Sequence, residues 1–182
     1  MVDFNTLMRR STSGETVDPI KIFENLPKSS GINNLYHVQA EILENWFSNL
    51  KDEPDVVVEL NTGGGKTLVG LLMALSTMRE TTEGVLYLVE NKQLVAQVVS
   101  QAVSIGIPAK PYSGRNSVDA DFDNGKTILV GSYQALFNGN SVFGARGVRS
   151  MERMGGNSNR RCARLPRSGQ RGFYFCYSGG RV

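Results

Sequence analysis

Cysteine is scarce in this sequence: two residues in 182, which excludes a disulfide-stapled fold. Histidine occurs once, as His37, and its expected place is helix packing and not catalysis. Neither Cys162 nor Cys176 has a nearby His or a Cys-x-x-Cys partner, so no zinc-ligand spacing exists. No apolar run approaches the roughly 20 residues that cross a bilayer, so no membrane partner is expected. The N-terminal stretch MVDFNTLMRR has no apolar h-region, so no secretory signal is expected and the default compartment is cytoplasmic. With 40% apolar and 20% charged residues the chain is neither collagen-like nor wholly disordered. Its length suits one domain, or one domain with tails.

The formal net charge of +3 hides an uneven distribution. Residues 1–143 hold seven Lys and four Arg against sixteen acids, a net −5. Residues 144–182 hold nine Arg, no Lys and one acid, Glu152, a net +8. Both cysteines and eight of the twenty glycines also fall there, while Leu, Ile, Val and Phe make up only five of those 39 residues. That is too little apolar matter to offset an ordering cost of about 1–2 kcal/mol per residue. Residues 144–182 are therefore expected to be a disordered, basic, Arg/Gly-rich tail.

Ahead of it the pattern is regular. Residues 1–20 are polar and begin a flexible leader expected over 1–34. Tyr36, Ala40, Ile42, Leu43, Trp46, Phe47 and Leu50 recur at helical spacing. Asp55 to Leu60 (DVVVEL) reads as a buried strand. Asn61 to Gly65 is a glycine loop, and Lys66 to Met78 a helix weakened only at Gly70. Gly84 to Glu90 is a strand, Asn91 to Ile105 a helix capped by Asn91, and Pro108 to Ser113 a short strand. Residues 114–125 read as a loop, Lys126 to Ser132 as a strand, and Tyr133 to Phe137 as a short helix. Strands alternating with helices predict an α/β fold with a parallel sheet covered on both faces.

Leu60-Asn61-Thr62-Gly63-Gly64-Gly65-Lys66-Thr67 carries the chemistry. It follows an expected strand and opens an expected helix, the context a P-loop requires. Glycines let backbone N–H groups curl around phosphate oxygens, and a helix N-terminus adds partial positive charge. In such a loop Thr62 to Gly65 line the phosphates, Lys66 is the catalytic candidate that reaches the β- and γ-phosphates, and Thr67 holds Mg²⁺. The first glycine of the pattern is replaced by Leu60. The competing reading is a glycine-rich turn followed by a chance Lys-Thr.

Around this loop the chain resembles a superfamily 2 helicase of the bacterial DEAD/DEAH-box type, in the N-terminal part of its first RecA-like domain. In that family Leu before the loop is normal. The resemblance covers about residues 35–143. It implies a partial RecA-like P-loop NTPase domain that binds ATP with Mg²⁺ and whose partner is DNA or RNA. No obligate protein partner is visible. Gln39 sits where the family reads adenine, although Tyr36-His37-Val38 departs from the usual Arg-Pro-x-Gln. Leu88 to Gln97 resembles motif Ia, which places Gln97 against the nucleic-acid backbone. Gly131 to Phe137 resembles the following Ser-x-Gln motif, which places Ser132 and Gln134 at the same groove. Plainer readings stand beside these. Gln39 is then a solvated helix residue, Ser132 and Gln134 cap the helix at Tyr133, and Glu90 is the Mg²⁺ carboxylate of a smaller P-loop fold.

The resemblance also implies parts not found. No expected strand ends in Asp-Glu, and the expectation is that the second RecA-like domain is missing, and with it an arginine finger worth about 10³–10⁵ in rate. The carboxylate strand is due shortly after Phe143, where composition changes. Translation out of frame from residue 144 or 145 gives such a mixture, and the expectation is a truncated helicase, able to bind ATP and inactive alone. The alternatives are a restriction or defence translocase subunit on the same domain, or a non-enzymatic nucleotide- and nucleic-acid-binding module acting through its Arg-rich tail. Arg171 to Phe175 brushes an RNA-recognition signature by coincidence, since no room exists for its four-stranded sheet.

Overall fold

Val85–Val89 forms the first strand, β1, in which every residue of Val-Leu-Tyr-Leu-Val is buried and suits a pleated ladder. The computed structural model describes residues 16–28, 34–53, 55–112, 120–137 and 174–176. In it β1 lies inside a parallel sheet with Ala109–Tyr112 (β2), Ile128–Ser132 (β3) and Tyr174–Cys176 (β4), in the order β2-β3-β1-β4. Register runs from Val85 opposite Ile128 to Val89 opposite Ser132, and from Ala109 opposite Ile128 to Tyr112 opposite Gly131. Pro111 is tolerated because β2 is an edge strand.

The side chains of β1 and β3 alternate between two apolar layers. Val85, Tyr87, Val89, Ile128 and Val130 join the larger one. Leu86, Leu88 and Leu129 join the smaller, with Phe122, Ala135 and Leu136. The larger layer is covered by Pro19–Asn25 (α1), His37–Asn45 (α2), Lys66–Thr81 (α3) and Lys92–Ser104 (α4). The smaller is covered by Ala120–Asp123 (α5) and Tyr133–Phe137 (α6). Helices on both faces of a parallel sheet make the α/β architecture of a partial RecA-like P-loop domain, as the alternating pattern predicts.

Three local devices fix the helices. Asn91 Oδ1 accepts from Leu94 N at 3.0 Å and caps α4. Gly70 lets α3 approach β1: a Cβ there would stand 3.0 Å from two atoms of the Tyr87 ring and hydroxyl. Lys51 Nζ bonds Glu80 Oε1 at 2.6 Å and ties the turn after α2 to α3. That hydrogen bond raises the Lys51 pKa above its ordinary value.

Several expectations need correction. Residues 55–60 form no strand: Val57 is 95% exposed and Val58 37%, while Val56 and Leu60 pack against the core. Both edges of β1 are taken, by β3 and β4, and a β-branched run without a ladder partner stays irregular. A helix, α1, stands within the stretch expected to be a flexible leader. Its Ile22 and Phe23 are 0% and 2% exposed, Asp18 caps it, and Ser76 Oγ and Arg79 Nη1 donate to Val17 O and Thr16 O. The helix from Leu35 becomes α2 followed by a π-helical turn, Trp46–Leu50. His37 opens α2 exposed, not packed. Within the loop expected over 114–125, residues 120–123 are helical. Of the tail expected to be disordered, residues 174–176 pair with β1 as β4. Residues 144–173 and 177–182, with Cys162 and all nine tail arginines, lie outside the described residues.

Candidate functional site

The strands run parallel, so their carboxyl ends share one edge of the sheet, where open α/β folds place ligands. Helix α3 returns to that edge. Its C-cap, Thr82, lies against Gly125, just before β3, and its Gly70 lies against Tyr87, midway along β1. Lys66 and Thr67, one turn before Gly70, therefore point the helix N-terminus toward the carboxyl edge. Leu68, Val69, Leu71 and Leu72 are buried and hold the first two turns in place.

The turn ahead of the helix is built from its glycines. Gly64 N donates to Asn61 O at 3.0 Å. Gly63 and Gly65 have φ of +84° and +76°, left-handed conformations that a β-carbon disfavours. Gly65 O accepts from Leu68 N and Val69 N at 3.0 and 3.2 Å and starts the helix. Among the described residues the N–H groups of Gly63, Gly65 and Thr67 have no backbone acceptor. A β-carbon on Gly63 would meet nothing within 4 Å. Open donors and a clear approach are what an anion needs. Thr62 is exposed in the turn, and Lys66 and Thr67 are half-buried.

Gln39 touches this loop directly. It is 3% exposed, its Nε2 donates to Gly64 O at 2.8 Å, and its Oε1 accepts from Tyr36 N at 3.0 Å. The plainer reading of a solvated helix residue is excluded by that burial. Sequence reasoning missed the bond to Gly64, although the signal for its other half was present: Gln at the third helical position after the cap is the capping-box place.

Ser132, Gln134 and Glu90 stand at or just beyond the carboxyl ends of β3 and β1, Gln97 stands midway along α4, and none touches Gln39 or the loop in any described contact. Ser132 ends β3, is 2% exposed, and its Oγ accepts from Ala135 N at 3.3 Å, so it does cap α6. Gln134 is exposed on α6, and Gln97 is exposed on α4. Glu90 follows β1 and is exposed. No described strand ends in an Asp-Glu pair. Among the described residues there is no group of three or more His, Cys, Asp or Glu that could hold a metal ion, and no helix long and apolar enough to cross a membrane.

Comparison with curated proteins and with solved structures finds no match. The family model for the res subunit of type III restriction enzymes matches residues 32–160, well over half of the chain, including α2, the glycine loop and all of β1 to β3. The chain therefore belongs to the type III restriction enzyme res-subunit family, whose matched region is a helicase superfamily 2 domain.

Proposed function

We propose that this chain is the ATP-binding part of an ATP-driven nucleic-acid translocase of the restriction kind. Its phosphate grip is Thr62 to Lys66, Lys66 is the group on the β- and γ-phosphates, and Thr67 holds Mg²⁺. The observation that carries this reading is the turn at Gly63 to Gly65. It combines two left-handed glycines, unengaged N–H donors and the start of a 16-residue helix anchored in the core. Mg²⁺ fits the donor set, because it commonly takes few protein ligands and completes its shell with phosphate oxygens and water. When bound it neutralises charge that develops on the phosphates. The chain's own part is to seat the triphosphate and bring the Lys66 ammonium to it.

The family match favours a restriction translocase over a DEAD/DEAH-box helicase. Nucleic acid would lie along the carboxyl edge, against Gln97, Ser132 and Gln134. With no described strand ending in Asp-Glu, the chain binds ATP and turns it over poorly by itself. Isothermal titration with Mg-ATP tests the grip. Lys66→Ala is expected to abolish binding while circular dichroism stays nearly unchanged, and unchanged affinity in that variant would sink the assignment. The out-of-frame reading of residues 144–182 is tested on the coding DNA from codon 120 onward. Another frame that continues with an apolar strand ending in Asp-Glu supports it. The absence of one in all frames removes it and turns attention to the arginines as a nucleic-acid arm.

A further inference from the structure

Helix α3 and strand β1 are joined by only three residues, 82–84, so the helix runs back over the strand that follows it. The Tyr87 ring lies against Gly70 of the helix. A β-carbon at Gly70 would stand 3.0 Å from Cε2 and Oη of Tyr87 and 3.5 Å from Cζ. The ring has little room to step aside. Tyr87 is 3% exposed and stands in the sheet between Val130 and Phe175.

Lys66 is four residues before Gly70 and shares its helical face. Four helical residues rise about 6 Å. The two strand steps from Tyr87 to Val89 rise about 6.6 Å. Lys66 Cα therefore stands level with Val89, the last residue of β1. A helical Cα–Cβ bond leans toward the N-terminus, so the Lys66 side chain sets out past the end of the strand. How far it overhangs depends on where the helix rests on the sheet.

We propose that Tyr87 is a positioning residue for the phosphate grip: its ring, seated against Gly70, sets where Lys66 and Thr67 meet a triphosphate. This rests on the phosphate-loop reading above. Tyr87 stands two residues short of the strand's end and acts only through the helix. Such a stop works by fit and fails in both directions. Alanine at Gly70 pushes the helix off a walled ring. Leucine at Tyr87 removes the ring and lets the helix sink. The two changes together refill the space.

The test is calorimetric titration of the full chain and its variants with the Mg²⁺ complexes of ATP and inorganic tripolyphosphate, each variant first shown folded by circular dichroism. Gly70→Ala and Tyr87→Leu are each expected to weaken both ligands by one common factor of about three to ten, since a misplacement of about 1 Å can cost about 100-fold. The double variant is expected to recover to within about twofold of the parent, because the two sites touch and couple. Ser76→Ala loosens the far half of α3 by removing the hydroxyl that donates to Val17 O, and both affinities are expected to stay as in the parent. Tyr87→Leu keeps an apolar side chain in the core and, with the Ser76→Ala control, carries the test if Gly70→Ala does not fold. Unchanged affinity in Tyr87→Leu, no recovery in a folded double variant, or an equal loss in Ser76→Ala overturns this proposal and leaves the phosphate grip standing. Failure of the parent chain to bind either ligand overturns the phosphate-loop reading, and this proposal with it.

Discussion

Gln39 Nε2 donates to Gly64 O at 2.8 Å across 25 positions of sequence. The second helix and the turn that opens the third are thereby one mechanical piece. A buried side-chain amide holds a backbone carbonyl in the loop, and the loop conformation cannot relax without giving up that bond. Leaving such a group unpaired in the interior costs about 1–3 kcal/mol.

Two glycines in the same turn separate backbone strain from this strut. Gly63 and Gly65 both have positive φ, so alanine at either costs about 1–2 kcal/mol of left-handed strain. Only at Gly65 does the new Cβ collide, at 2.2 Å from Gln39 Nε2, whereas Gly63 has nothing within 4 Å. Denaturant unfolding should show Gly65→Ala less stable than Gly63→Ala by a further amount of about 1–3 kcal/mol, the cost of a displaced buried amide. Adding Gln39→Ala should hurt the Gly65→Ala background less than the wild type. Equal stability of the two glycine variants would remove the strut from the account.

Ile22 tests whether α1 belongs to the folded body. It is 0% exposed in the larger apolar layer, so Ile22→Ala is expected to cost about 2–5 kcal/mol. Glu24→Ala, on the exposed side of the same helix, should stay within about 0.5 kcal/mol. The helix lies N-terminal to the family-matched span, which begins at residue 32. Unfolding midpoints that barely move with Ile22→Ala would return residues 16–28 to the status of a leader.

What the sequence made legible follows from which signals are local. The strand at 85–89 announces itself by an uninterrupted apolar run, that at 128–132 by Ile128-Leu129-Val130, and α4 by Asn91 ahead of its apolar stripe. Helix α1 carried a local signal too, Asp18-Pro19 at cap and first turn, which the polar residues before it obscured. The segment 55–60 shows the limit. Its composition is that of a strand, but a strand needs a neighbour, and neighbours are decided by sheet order and not by propensity. The glycine loop was legible residue by residue. The partner of Gln39 was not, because nothing local couples position 39 to position 64.

Ser132 and Gln134 separate structure from contact at the carboxyl edge. Ser132 is buried and caps α6, so Ser132→Ala should cost about 0.5–2 kcal/mol in unfolding whatever its role in binding. Gln134 is exposed, and Gln134→Ala should leave stability within about 0.5 kcal/mol. Fluorescence anisotropy with a labelled single strand then reads the second property. Weaker binding by a fully stable Gln134→Ala chain places nucleic acid on this edge, and unchanged binding removes Gln134 from the interface.

Val57 decides between the two accounts of residues 55–60. In a buried strand, lysine at this position would desolvate a charge and cost several kcal/mol, at least about 3. At 95% exposure it should cost nothing beyond about 0.5 kcal/mol. Val56 is the internal control, since it packs against the larger apolar layer and Val56→Lys should destabilise clearly. Two exposed β-branched residues, Val57 and Val58, in a segment outside every described strand are also a template for other chains, and a charge among them blocks edge pairing. Val57→Lys is therefore expected to lower light scattering at high protein concentration while the unfolding midpoint stays put. A large drop in stability instead would mean that 55–60 is a paired strand in solution. One of the positions beside β1 would then have to open to receive it, and β4, only three residues long, is the neighbour with the fewest ladder bonds to lose.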